Sequence, residues 1–190
     1  MSEACSWVGD SDIYKTYHDT EWGVPEYDSR ALWEKLILDG FQAGLSWITI
    51  LKKRENFRAA FKGFDPNVIA KWGEDDVLRL LADSGIVRHR GKIEATIGNA
   101  RAWQVIEARE GFDQFLWRYV DGAPLQNQFK TQAEVPTETA LSRQVSKDLK
   151  AAGFRFCGPT IVYAFMEAVG MVNDHLIGCP CHEKVADLHR

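Results

Sequence analysis

No long apolar run occurs in this 190-residue chain: the longest, Ile161 to Met166, has six residues, against the roughly 18 that a membrane-spanning helix requires. Excess positive charge is missing too. With 23 Lys and Arg against 27 Asp and Glu the net charge is −4, so any affinity for nucleic acid must come from local clusters of cations. Alternating strand patterns and internal repeats are absent, which argues against a sheet protein or a solenoid. The opening Met1-Ser2-Glu3 has nothing of a secretory leader, so a cytoplasmic location is expected. Cysteines number only four, at 5, 157, 179 and 181, and in a reducing compartment such a set serves metal binding, catalysis or burial more often than disulfides. What the chain does have is 45% hydrophobic and 12% aromatic residues, too rich in large rings for disorder. Its length suits one domain, or two lobes sharing a core.

Apolar residues recur at helical spacing. After the N-cap candidates Asp28 and Ser29, a stripe of Leu32, Trp33, Leu36 and Ile37 predicts a helix that Gly40 can end. Trp47, Ile50, Leu51, Phe57 and Phe61 form a second stripe. Asp65-Pro66 places a cap and then the residue favoured in a first turn, and Val77, Leu78 and Leu81 continue a short helix that stops before Ser84-Gly85. Further helices are predicted from about Gly91, at Phe112 to Tyr119, at Leu141 to Leu149, and at Thr160 to Val169, closed by Gly170. The polar stretch Asp121 to Thr139, with two of the six prolines, reads as a flexible connector or lobe boundary. The expectation is an all-α fold of about eight short helices.

Two thiols and two imidazoles stand at the chain ends. Cys5 and His18 lie near the start; His175 and Cys179 lie near the finish, four apart, a spacing that on a helical turn would put both on one face. Such a set matches the tetrahedral preference of structural zinc, and loop-closure cost grows only logarithmically with length, so a clip joining distant segments is feasible. Scattered core cysteines and surface histidines are the alternative, and Cys181 or His182 could replace Cys179 in the run His175 to His182.

Longer strings settle the comparison. Cys5-Ser-Trp7-Val, Tyr17-His18-Asp19-Thr-Glu21-Trp22-Gly23-Val-Pro25, Gln42-Ala-Gly44-Leu45-Ser46-Trp47, Leu51-Lys-Lys-Arg-Glu-Asn56, Gly85-Ile-Val-Arg88-His-Arg-Gly91-Lys92-Ile and Val172-Asn173-Asp174-His175 follow one another in matched order. The chain thereby resembles, over nearly its whole length, the 3-methyladenine DNA glycosylase I family of the helix-hairpin-helix glycosylase superfamily. The resemblance implies a single glycosylase domain over 1–190, a two-lobed helical bundle. One lobe, 1–60 with 160–190, would carry the pocket and clip; the other, 61–159, would lead into a helix-hairpin-helix motif. It implies one structural zinc ion on Cys5, His18, His175 and Cys179. It also implies hydrolytic release of free 3-methyladenine from double-stranded DNA containing alkylated purines, leaving an abasic site, by a monomer with no membrane partner.

A base inside a duplex must be flipped out and gripped by rings. By resemblance Tyr17 and Trp47 are the stacking pair, with Trp7, Tyr14 and Trp22 lining the pocket; without it, all five read as ordinary core. N3-methylation makes the base cationic, and rings then add about 0.5–2 kcal/mol of cation–π attraction. Asp39 stands where the family has a glutamate that hydrogen-bonds the adenine edge, one methylene shorter, so its role requires a backbone shift or a bridging water. Rival readings are a solvent-exposed helix-end aspartate and use of Glu21. Asparagine, Asn173, stands where the wider superfamily carries its catalytic aspartate, which restricts the chain to leaving groups that are already good.

For DNA contact, Leu149 to Ile161 reads helix, hairpin, helix, with Gly153, Arg155, Gly158 and Thr160 at the turn. Arg88-His-Arg90-Gly-Lys92 would reach a second phosphate. Gly44-Leu45 resembles the family's intruding loop, whose tip fills the gap left by a flipped base; plain core is the rival reading for Leu45. Two other functions remain: a glycosylase for a different alkylated base, and a non-catalytic binder of damaged or abasic DNA, the latter motivated by Asn173.

Overall fold

The computed structural model describes residues 5–188, so the opening Met1-Ser2-Glu3 lies outside them. Among the described residues there are ten α-helices and one short parallel strand pair. Helix α1 spans Asp12–Thr20, α2 Ser29–Gln42 and α3 Trp47–Ala60. Short helices α4 (Pro66–Ile69) and α5 (Glu74–Leu81) lead to the longest, α6 (Arg90–Arg109), and then to α7 (Phe112–Trp117). The chain continues through β1 (Leu125–Gln126), α8 (Ala140–Ala151), α9 (Pro159–Ala168), β2 (Val172–Asn173) and α10 (Pro180–Ala186). No described helix is long and apolar enough to cross a membrane.

Local chemistry sets most of these boundaries. Asp28 accepts from the amides of Arg30 and Ala31 at the start of α2, and Asp65 accepts from Asn67 ahead of Pro66 at the start of α4. Gly40 does not end α2, which runs two residues further. A Cβ built there would lie 3.0 Å from the Phe156 carbonyl oxygen, so glycine serves the close approach of the hairpin before α9 and not a helix stop.

The main core gathers Trp33, Phe41, Phe57, Phe61 and Phe64 from α2, α3 and the turn after it, with α6 to α9 packed around them. A second buried group unites Cys5, Val8, Tyr17, Trp22, Leu51, Ala168, Cys179 and Cys181. Helix α9 packs against both α2 and α8 and so stands between the two.

The Asp121 to Thr139 stretch is not a free connector. β1 pairs with β2 in register Leu125 to Val172, the Phe129 carbonyl accepts from the Ile177 amide at 2.9 Å, and Asn127 donates to Asp174 at 2.6 Å. Backbone bonds and the Asn127 side chain hold it against the segment that carries His175.

Candidate active site and metal clip

The chain ends meet. Cys5 Sγ lies 3.9 Å from His175 Nδ1, His175 Nδ1 lies 3.1 Å from His18 Nε2, and Cys179 Sγ lies 3.6 Å from His18 Nε2 and 3.9 Å from His175 Nδ1. All four residues are buried and their donor atoms fall within 4.8 Å of one another. A tetrahedron with metal–sulfur bonds near 2.3 Å and metal–nitrogen bonds near 2.0–2.1 Å has donor-to-donor edges of roughly 3.3–3.8 Å, so this set can hold a metal ion. The outer ring nitrogens are engaged: His18 Nδ1 with Asp19 at 2.7 Å, and His175 Nε2 with the Trp22 carbonyl at 3.0 Å, which fixes each ring's orientation.

The helical-turn expectation for His175 and Cys179 fails. Residues 175–179 form a non-helical turn in which the Cys179 amide donates to Leu176, and Cys179 is the N-cap of α10. Pro180, at the first position of that helix, sets the thiol's direction. His182 turns away to the Asn127 carbonyl at 2.8 Å, and Cys181 groups with His18 and Asp19 instead.

Beside the clip a cavity of about 260 Å³ is lined by Trp7, Tyr17, Trp22 and Trp47, by Lys35, Asp39 and Gln42 from α2 and its end, by Gln132, and by Ala164, Glu167 and Ala168 from α9. That is just below the usual range for drug-sized ligands, roughly 300–1,000 Å³, and suits one bicyclic base. Tyr14 is not in the lining. Its ring meets Trp7 edge-on at 5.5 Å and its hydroxyl accepts from the Ile48 amide, which steadies the first turn of the helix that carries Trp47.

Tyr17 and Trp47 do not face each other across a gap. Their centroids are 5.6 Å apart at 46°, whereas a ring held between two others needs about 7 Å, twice the contact distance of roughly 3.5 Å. They form adjoining walls. Trp47 carries the Lys35 ammonium 4.0 Å above its ring, and Lys35 donates to Asp39 at 2.5 Å. The other oxygen of Asp39 is buried without a partner among the described residues. Burial raises the Asp39 pKa against the lowering pull of Lys35, and burial lowers that of Lys35 against the raising pull of Asp39. Tyr17 is raised well above its ordinary value by burial, then by Asp39 and Glu21.

Glu21 is not in this lining: Arg54 grips it with both terminal guanidinium nitrogens, and it lines an adjoining cavity of about 280 Å³ that shares Tyr17, Lys35, Trp47 and Ala168 with the first. Asn173 is buried and fully used, donating to Gln126 at 2.8 Å and to the His182 carbonyl at 3.0 Å and accepting from the His175 amide at 3.3 Å. Asp174 accepts from Asn127 and from the Tyr163 hydroxyl. Neither lines the cavity.

The turn between α8 and α9 passes through Gly153 at φ +102°, a conformation that side chains resist. Asn99 braces it, accepting from the Arg155 amide at 2.8 Å and donating to its carbonyl at 3.0 Å. Gly153, Arg155 and Thr160 are exposed, Gly158 is the N-cap of α9, and the first-turn amides of Thr160 and Ile161 have no carbonyl within the helix to bond. Thr160 Oγ1 lies 3.5 Å from Glu138. Leu45 is 39% exposed, which removes the core reading, and its loop is closed by Gln42, whose side chain donates to the Leu45 carbonyl.

Lys92 is a correction. It is buried, with its ammonium bonded to the carbonyls of Phe41 and Ala43 at 2.8 and 2.6 Å, so it caps the end of α2 and cannot reach a phosphate. Arg90 is spent on Glu74 and Glu94, while Arg88 is exposed and has no ion pair among the described residues. Sequence reading missed Lys35 and Glu167. The first was signalled by its i,i+4 spacing from Asp39, and the second by being the charge that ends the longest apolar run.

A helical protein with a base-sized aromatic cavity, a buried carboxylate and a four-donor clip has the parts of a base-excision glycosylase. Residues 7–182 match the methyladenine glycosylase family, and the chain belongs to it. It is 54% identical over 181 residues to DNA-3-methyladenine glycosylase 1 of Escherichia coli K12, covering 95% of this chain and 97% of that one. Its fold is similar to a crystal structure of 3-methyladenine DNA glycosylase I with a TM-score of 0.93 at 55% identity, over 95% of this chain and 100% of the other. A point variant of 3-methyladenine DNA glycosylase I in complex with 3-methyladenine also aligns at TM-score 0.93, with 40% identity and full coverage of both chains.

Proposed function

We propose that this chain is a DNA-3-methyladenine glycosylase, which hydrolyses the N-glycosidic bond of 3-methyladenine in duplex DNA and leaves an abasic site. The observation that carries the reading is the base-sized cavity, with four aromatic walls and an unpartnered buried oxygen on Asp39. The extruded base lies on Trp47, abuts Tyr17, and meets Trp7 and Trp22 at its rim. Its exocyclic amine donates to the free oxygen of Asp39, which removes the cost of leaving that oxygen unpaired, about 1–3 kcal/mol. A cationic base leaves C1′ with the bonding pair and departs neutral, so no acid is needed. Water adds to C1′ and gives its proton to solvent. The engagement of Asn173 with Gln126 and His182 supports a route without a carboxylate at that position.

Zinc is the metal whose ligand chemistry fits Cys5, His18, His175 and Cys179; with every position filled by protein it would cross-link the chain ends and take no part in the chemistry. The pocket and clip lobe is 1–60 with 160–190. DNA contact comes from the α8–α9 turn acting as the helix-hairpin-helix motif, through Gly153, Arg155, Gly158 and the α9 N-terminus, and from Gly44-Leu45 entering the gap in the duplex. All these parts come from one chain, which suits action as a monomer. The test is release of free base from methylated duplex. Appearance of 3-methyladenine supports the reading; binding to an abasic duplex with no base released makes the chain a non-catalytic binder; release of another alkylated base instead reassigns the lesion.

A further inference from the structure

Three residues of α9 line the base cavity: Ala164, Glu167 and Ala168. They stand at i, i+3 and i+4, one face of the helix, and the two alanines leave Glu167 as the only polar side chain on that wall. Asp39 lies in the same cavity on α2, which packs directly against α9. The cavity therefore has two carboxyl groups, and among the described residues Lys35 hydrogen-bonds only to Asp39.

We propose that Glu167 is a second base-contacting group of this chain and that it selects methylated adenine over methylated guanine. The inference rests on the glycosylase reading above and names a specificity residue for the same site.

The chemistry follows from what surrounds Glu167. Burial comes first in pushing its pKa well above the ordinary carboxylate range, followed by the Asp174 carboxylate and then Asp39, against the weaker pull of Lys35. Asp174 also hydrogen-bonds the Glu167 side chain, so the proton of a neutral Glu167 goes to Asp174 and the second carboxyl oxygen is left to face the base. The oxygen that Glu167 leaves to the cavity is an acceptor whether or not the group is protonated. Adenine presents the complement, an N6 amine that donates. Guanine presents O6 and N7, both acceptors, so the Glu167 C=O would face another acceptor. One edge satisfies the side chain fully and the other leaves a buried group unpaired. That mismatch is worth roughly 10- to 100-fold.

The experiment measures release of 3-methyladenine and 3-methylguanine from dimethyl-sulfate-treated duplex by wild type, Glu167→Leu and Glu167→Gln, with thermal midpoints recorded for each. Binding of free 3-methyladenine is followed by tryptophan fluorescence. The Leu variant keeps the bulk and loses both hydrogen bonds. It is expected to release 3-methyladenine at least ten-fold more slowly, with the adenine-to-guanine ratio falling by a similar factor. Gln offers a donor and an acceptor in the same places and is expected to restore most of both. A folded Leu variant with wild-type rate and ratio overturns the proposal. So does a Gln variant as impaired as Leu, and this arm decides the matter if Leu does not fold. Wild type that releases no base refutes the glycosylase reading itself, a different result from any of these.

Discussion

Lys35→Met isolates the buried ion pair at the centre of the cavity. The Lys35 and Asp39 side chains are 16% and 4% exposed, and among the described residues their i,i+4 bond is the only hydrogen bond that Asp39 makes through its carboxylate. Methionine keeps the stem against Trp47 and removes the ammonium, so Asp39 is left with no partner on either oxygen. Breaking a buried pair from one side costs about 3–5 kcal/mol. Because Lys35 is partly reached by water, the low end, about 3 kcal/mol, applies, which for a chain of this size is roughly 6–12 °C in Tm. Burial already raises Asp39 above its ordinary value, and loss of the ammonium raises it further. A carboxyl group that holds its proton more tightly folded than unfolded removes stability as pH rises, starting near its unfolded value of about 3.9 and ending above its folded one. The Tm deficit should therefore be largest at pH 8 and shrink by at least half at pH 5, where Asp39 escapes the penalty by protonation. Tyr17 shares the cavity in both proteins and cancels in the comparison, whereas Glu167 loses the same pull of Lys35 and shifts in the same direction as Asp39, adding to the pH dependence. Thermal melts followed by circular dichroism at the two pH values give the answer. An equal deficit at both would show that the lost packing, and not the stranded carboxylate, sets the cost.

Trp47→Ala should abolish base release while the far-ultraviolet spectrum stays that of wild type, and normal turnover would take Trp47 out of the pocket. Cys5→Ala or His175→Ala should strip the metal and lower Tm, and one metal atom per chain in either variant, by elemental analysis, would refute the ligand set. Arg155→Ala should weaken binding to abasic duplex and reduce the slope of log K against log salt by about one, whereas Lys92→Met should leave the slope unchanged and cost about 1–3 kcal/mol in stability. A slope change in the Lys92 variant would mean that its ammonium reaches DNA after all.

The helices that carry stripes of large apolar residues were legible, because burial of one face is written at a 3.6-residue period. Helices α1 and α10 escaped notice: their buried positions are Tyr17 and His18 in one and Cys181 and Val185 in the other, without the run of large apolar residues that marked α5 and α7. Cys5, His18, His175 and Cys179 were found by residue type, yet the reason offered for His175 and Cys179 was wrong, since a capped turn brings them together as well as a helix would. Lys92 shows the opposite failure. Its charge in a basic run suggests the surface, and only tertiary packing places the ends of α2 where two carbonyls need a donor. Asp39 was visible through resemblance, but its partner Lys35 and the facing Glu167 depend on which helix faces meet across the cavity.

The same packing decides whether a catalytic carboxylate can be restored by one substitution. By the resemblance to the wider superfamily Asn173 stands at an aspartate position, so on that reading Asn173→Asp is the shortest path to a wider substrate range. Its amide nitrogen, however, donates to Gln126 and to the His182 carbonyl. An ionised aspartate has no donor to offer, and would set an oxygen against each of those two oxygens. Gln126 can rotate to present its amine, but the His182 carbonyl is fixed in the first turn of α10, next to the turn that carries Cys179. One irreparable buried mismatch costs about 1–3 kcal/mol. Its relief lies in loosening α10 and with it Cys179 of the four-donor set. The expected outcome is a variant with weaker metal retention, a Tm lower by roughly 2–12 °C, and no release of uncharged damaged bases such as hypoxanthine. A variant as stable as wild type that excises hypoxanthine would show that residue 173 can reach the sugar, and that the restriction to cationic bases is lodged in this one side chain and not in the way the chain ends are stitched together.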